Sequence, residues 1–242
     1  MIGIGTLINT GAVILGGFAG MIFKKGLPVR FREILLSAVG LAVLFIGAAG
    51  ALGGMFTVKD GLIVTGGTYM SIASLAIGSL LGELINLDKH AVTFGEWLKK
   101  KAKSESDSKF TAGFVNTSLT ICIGAMAVVG SVTDGLTGDY SILLTKAILD
   151  FIIVAVFASS YGKGCIFSAI PIFVMQGSMT LLAKLISPVL TDAAVANISF
   201  VGSMLVFCVG INLMFDKKIK VANMLPALII AAAFSFLPWQ LG

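Results

Sequence analysis

Two opposite charges share an otherwise apolar stretch of this chain. Residues 142–160 read ILLTKAILDFIIVAVFASS, and Lys146 and Asp150 are the only ionisable side chains in it. A spacing of four puts both on one helical face, one turn apart. An unpaired charge at the centre of a bilayer costs about 3 kcal/mol or more, so an intramembrane carboxylate is read as functional by default. Asp150 falls about eight residues into its segment, or roughly 12 Å below the boundary at 1.5 Å per residue. There it can take up and release a proton, or hold a small cation such as Na⁺, as a cavity opens to alternate sides. The bland reading is a static ion pair that fixes helix packing, with Lys146 snorkelling outward. Both readings stand on the sequence.

Neutral polar residues punctuate the other apolar runs: Asn9, Asn116, Thr117, Gln176, Ser178 and Asn212. Amides that face lipid are unfavourable, so these point at partner helices or at a wet cavity. Their simplest role is interhelical hydrogen bonding, worth about 0.6 kcal/mol each. Gln176-Gly177-Ser178 stands apart because it follows Pro171 by five residues. Proline removes a backbone donor and glycine lets the chain unwind. A helix broken at mid-membrane exposes carbonyls and amides that bind an ion or a small anion. A proline kink without a ligand is the alternative. The candidate substrate- or ion-binding set is therefore Asp150, Lys146, Gln176, Ser178, Asn212 and Asn9.

Other chemistry is poorly supplied. His90 is the only histidine and lies in a polar linker. That excludes a His-based zinc site or a Ser-His dyad within the membrane. No GxxxxGK[ST] sequence occurs, so no P-loop is expected. A Ser-Lys dyad on Lys146 lacks a serine at a supporting spacing. No enzyme activity, catalytic set, metal or cofactor is expected. Cys122, Cys165 and Cys208 fall in or beside apolar runs and read as packing thiols. Glu33 and Glu83 lie at segment ends, where headgroups or basic loops solvate them.

The elements that position these residues follow from composition. Of 242 residues, 57% are hydrophobic and only 12% charged, about half the charged share of a soluble domain. Mean hydropathy is +1.02. A soluble fold of this size cannot hide so much apolar side chain, which excludes an ordinary soluble enzyme, a disordered chain and a disulfide scaffold. The fold class expected is an all-α polytopic membrane bundle. Eight segments approach the roughly 20 apolar residues a span needs: 2–23, 33–56, 62–86, 111–132, 142–160, 164–186, 196–215 and 221–240. The third is weak at Gly66-Gly67-Thr68, and the sixth is the one expected to break. Seven spans result if one segment is re-entrant. Lys24 and Lys25 follow the first apolar run, the reverse of a cleavable signal, so that run is expected to be retained.

A net charge of +5 would suggest nucleic acid in a soluble protein. Here the positive charge marks topology, and no nucleic-acid partner is expected. Fourteen of the 17 basic residues fall in alternate loops: Lys24 to Arg32, Lys89 to Lys109, Lys163, and Lys217 to Lys220. The positive-inside rule then places those loops in the cytoplasm, both termini outside, and the protein in the inner (plasma) membrane. Residues 87–109 form the one long polar connection. In it Val92, Phe94, Trp97 and Leu98 mix with Lys99, Lys100, Lys101 and Lys103, as in an amphipathic helix on an anionic leaflet. A solvated loop that only enforces topology is the alternative. The chain reads as one transmembrane domain, 1–242, with this linker inside it.

An internal repeat is also expected. Residues 44–53, LFIGAAGALG, match residues 121–130, ICIGAMAVVG, and each is followed by Asp-Gly-Leu, at 60–62 and 134–136. Gly16 and Gly20 in the first segment parallel Gly78 and Gly82 in the third. These features join others: Ile46-Gly47-Ala48, Gly78 to Glu83, Ile123-Gly124-Ala125-Met126-Ala127 with Gly130, Lys146 to Asp150, Gln176-Gly177-Ser178, and Gly210-Ile211-Asn212-Leu213 running into Ile219 to Pro226. In combination the chain resembles, over nearly its whole length, the bacterial membrane-protein family of domain of unknown function 554, the YdfK/YqgA-like proteins. The resemblance implies an integral membrane protein, with transport the furthest role suggested, and supplies no site residue. The expected function is secondary transport of a small solute or ion, with Asp150 as the coupling or binding group. The rivals are an uncoupled channel and a structural or regulatory component docking lipid or a protein through the basic linker. The lipid bilayer, the solute and further copies of the chain are the expected partners.

Overall fold

The computed structural model describes residues 2–26, 28–59, 61–123, 125–188, 190–215 and 219–237. Asp60, Gly124, Lys217 and Lys218 lie outside them. The described chain is almost entirely helical. In order it forms α1 (Ile4–Gly26), α2 (Val29–Met55), a hairpin of β1 (Phe56–Lys59) and β2 (Leu62–Thr65), α3 (Thr68–Ile85), α4 (Leu87–Lys101), α5 (Phe110–Cys122) and α6 (Ala125–Thr137). There follow α7 (Ser141–Tyr161), a tight 3₁₀ stretch at Lys163–Ser168, α8 (Ala169–Leu181), α9 (Ala183–Ile186), α10 (Asp192–Phe215), α11 (Val221–Met224) and α12 (Pro226–Phe234).

Five helical stretches are long and apolar enough to cross a membrane: Ile4–Ile22, Thr68–Ile85, Ser141–Tyr161, Lys163–Leu181 and Asp192–Phe215. The pair α5 and α6 makes a sixth if read as one span bent by 63°. Shorter apolar helices run over Gly40–Met55 and Val221–Phe234. Outward faces are apolar: Leu84, Leu181 and Ile229 are each at least 75% exposed, as lipid-facing residues are. This is an all-α membrane protein.

Three expectations change. The third segment does not start as helix at 62. Residues 56–65 pair as an antiparallel hairpin in the register Phe56↔Thr65 to Lys59↔Leu62. The signal was present: Asp-Gly between β-branched runs is the strongest short hairpin motif, and Gly61 takes the left-handed φ of +77° such a turn needs. Secondly, the sixth segment is not broken at Gln176-Gly177-Ser178. Helix α8 runs through them unbroken. Pro171 is its third residue, where the missing N–H has no helical partner to lose. The break falls instead in the fourth segment, where Ile123 turns extended and ends α5. Thirdly, the windows equated as a repeat take different shapes. Residues 44–53 lie inside the continuous α2, while 121–130 straddle the α5/α6 break.

Glycine stripes set the packing. Gly5 lies on Leu143 and Gly20 on Ala155, so α1 and α7 run parallel. A Cβ on Gly20 would meet the Ala155 carbonyl oxygen at 2.1 Å, so only glycine permits this approach. Gly40 lies on Met214 and Gly54 on Phe200, which makes α2 and α10 antiparallel. Gly78 and Gly82 seat α3 antiparallel on α12 and α11 through Ala227 and Asn223. The core where these layers meet holds Val13, Val154, Phe157, Ile172 and Leu205, all fully buried. Helix α4 presses Gly95 and Leu98 inward beside Phe110 and Phe114.

Candidate functional site

Helix α7 carries Lys146 and Asp150 into the interior, at 7% and 3% exposure. The Lys146 ammonium donates to the Asp150 carboxylate at 2.5 Å. It also donates to the Ile121 carbonyl at 2.7 Å. Ile121 is in the last turn of α5, where carbonyls have no N–H from a following turn and the helix dipole is negative. The break between α5 and α6 thus supplies the second acceptor for the buried cation. The sequence pairs Lys146 with Asp150 by spacing alone; the contact with Ile121 has no sequence signal.

From α1, Asn9 lies against the Asp150 carboxylate. No hydrogen bond of standard geometry joins them, and neither amide atom of Asn9 finds another partner among the described residues. One turn earlier, Thr6 and Thr180 of α8 meet hydroxyl to hydroxyl at 3.4 Å. Thr180 donates onward to the Ser131 carbonyl of α6 at 3.1 Å, so Thr6 is the donor to Thr180. Gln176 stands one turn before Thr180, fully buried, and neither of its amide atoms has a protein partner among the described residues. The Thr117 and Ser118 hydroxyls of α5 are buried in the same way. Orphaned polar atoms in an interior cost about 1–3 kcal/mol each. Buried groups of this kind take ordered water or an ion as partner.

Ser178 and Asn212 are not brought to this cluster. Ser178 faces outward and donates to the Met175 carbonyl at 2.9 Å. Asn212 brackets Ile219, donating to its carbonyl at 2.8 Å and accepting from its N–H at 3.0 Å, which ties α10 to the turn after it. Asn116 donates to the Tyr161 hydroxyl at 3.3 Å, an interhelical link.

Two polar positions carry more than the sequence suggested. Asp134 of α6 is fully buried. Its carboxylate accepts from the N–H groups of Gly3 and Gly5 at 3.2 and 3.1 Å, so it caps the positive end of α1 from another helix. The sequence signal for this cap is an acid inside an apolar window. Glu83 meets a basic loop, as expected, and does so through a defined set of bonds. It accepts from Lys220 at 2.6 Å and from the Asn223 amide at 2.5 Å, and Asn223 accepts from the N–H of Asp88 at 2.6 Å. The bond to Glu83 holds the Lys220 ammonium above the ordinary lysine range. Among the described residues no group of three or more His, Cys, Asp or Glu side chains converges as a metal site.

Comparison with known proteins places this geometry in context. Residues 4–236 match the family described as Protein of unknown function (DUF554). The chain is 34% identical over 238 residues to the Uncharacterized membrane protein YdfK of Bacillus subtilis (strain 168), covering 98% of both chains. It is 34% identical over 236 residues to the Uncharacterized protein YqgA of Escherichia coli (strain K12), covering 96% of both. No solved structure gives a significant match.

Proposed function

The chain belongs to the DUF554 family, and from that membership and the buried cluster we propose that it is a secondary carrier, not an enzyme, for a small solute or ion. The Lys146–Asp150 pair is the working charge, and Asn9 and Gln176 are neutral contacts. The observation that carries this reading is the coincidence of three features: a buried ion pair, a carbonyl from a broken helix, and amides without protein partners among the described residues. Discontinuous helices that present backbone at a midplane site are a transporter device.

The same reading takes eight crossings of the inner (plasma) membrane with both termini outside. The packing supports it. Segments one and five run parallel, and segments two and seven, and three and eight, run antiparallel, as alternation over eight crossings requires. Further copies of the chain are part of this reading, through apolar outer faces and not through the glycine stripes, which the chain's own helices fill.

A second reading has its own observation. On α4 the Phe94 and Trp97 rings stack at 5.6 Å while both stay exposed, and the Lys101 ammonium sits 5.9 Å from the Trp97 centroid. Such a face suits a structural or regulatory component that docks on anionic lipid.

Proteoliposomes loaded with a pH-sensitive dye separate these functions. Amino acids, sugars, carboxylates and simple cations are added in turn, with and without an imposed gradient. A carrier gives a solute-dependent, gradient-driven signal that Asp150→Asn abolishes while the variant stays folded. Flux that ignores the gradient indicates a channel. No flux at all, together with loss of anionic-vesicle binding when Lys99, Lys100, Lys101 and Lys103 are neutralised, indicates the docking component.

A further inference from the structure

The buried ammonium of Lys146 marks a cation position inside the protein. Both groups around Nζ are oxygens: the Ile121 carbonyl at 2.7 Å and the Asp150 carboxylate at 2.5 Å. They come from different helices, and the carbonyl belongs to the negative end of α5. Lysine itself brings no acceptor to the site; its four-carbon stem delivers a compact point charge with three donors. Two of those donors are taken by these oxygens. A second, independent feature faces the same carboxylate. Asn9, fully buried on α1, lies against Asp150 with both amide atoms lacking a standard hydrogen bond. The end of an amide that suits a carboxylate is its N–H, so Asn9 leans on Asp150 as a donor. An all-oxygen, singly anionic cradle at a helix break suits a hard monovalent cation.

We infer that the Ile121 carbonyl and Asp150 form a monovalent-cation site, with Asn9 positioning the carboxylate, which the chain fills with its own Lys146 ammonium. Where this is joined to the carrier reading, on which its functional meaning rests, the carrier runs without Na⁺ because the cation is built in.

The test uses the full-length protein in detergent, with N-methylglucamine as the only bulk cation. Thermal unfolding of wild type, Lys146→Ala and Lys146→Ala/Asp150→Asn is followed as NaCl, KCl or methylammonium chloride is added. At a concentration about tenfold above Kd, at least one of these small cations raises the Tm of Lys146→Ala by about 3–6 °C. Wild type and the double variant do not respond. An equal response in all three proteins, or none in Lys146→Ala, overturns the site. Should Lys146→Ala not be recovered folded, Lys146→Ser takes its place. Failure of both variants in buffers containing each small cation also overturns it, because an added cation should then restore the fold. No flux enters this experiment, so its failure removes the cation site and leaves the carrier reading to the Asp150→Asn measurement.

Discussion

Moving two charges out of water is expensive, and their mutual attraction repays it only when further hydrogen bonds complete the pair. Lys146 has that completion in the Ile121 carbonyl. Removing one partner leaves the other charge stranded. Lys146→Met is therefore expected to lower stability by about 3–5 kcal/mol, and Lys146→Met/Asp150→Asn to recover most of the loss; equilibrium denaturation of the three proteins checks this. Asp134 makes a smaller claim. Replacing it with Ala uncaps α1 at a cost of about 1–2 kcal/mol, and Asn, which keeps one acceptor, loses less. Glu83 raises the Lys220 pKa, so the stability of that bond is complete below the ordinary lysine range and fades as pH climbs through the raised value. Lys220→Met should flatten the alkaline limb of a plot of Tm against pH. At this scale the sequence was informative about depth and poor about direction. Lys146, Asp150, Asn9 and Gln176 stand out because polar residues are conspicuous in apolar runs, and all four are buried. Ser178 and Asn212 were equally conspicuous. Which way Ser178 faces, and that Asn212 meets Ile219 beyond its helix, depend on tertiary packing that periodicity does not carry.

Helices hold these residues through backbone approach. Gly20→Val in α1 would drive a side chain into the Ala155 carbonyl, and is expected to abolish recovery of monodisperse protein. Gly11, in the same helix, has nothing within 4 Å of a built Cβ. Gly11→Ala should be neutral or stabilising by up to about 1 kcal/mol, the gain in helix propensity. Size-exclusion profiles and melting curves of the two variants distinguish packing at Gly20 from a general tolerance of α1. The shapes of these elements depart from their hydropathy for physical reasons. Hydropathy does not distinguish a straight span from a bent one, so residues 111–132 read as one helix although α5 ends at Cys122. Proline reads as a breaker in α8 until its position within the first turn is known. The hairpin at 56–65 was legible from Asp-Gly and its β-branched flanks, and apolar content outweighed it.

For the whole molecule, the claim is an alternation of eight segments around a central polar cluster. Single cysteines at Ser106, in the turn after α4, and at Asp139, between α6 and α7, would lie on opposite faces; both positions are exposed. In a background free of Cys122, Cys165 and Cys208, an impermeant thiol reagent applied to intact cells should label Asp139→Cys and not Ser106→Cys, with the reverse in inverted vesicles. The central claim is that Asp150 works in a cavity that water reaches. It is tested most directly by placing a cysteine at Asn9, beside that carboxylate, and applying a small impermeant methanethiosulfonate to each face of sealed vesicles. A carrier should react from both sides, one at a time. A thiol that reacts from neither face in a folded protein would mean a dry, locked ion pair and would contradict the account.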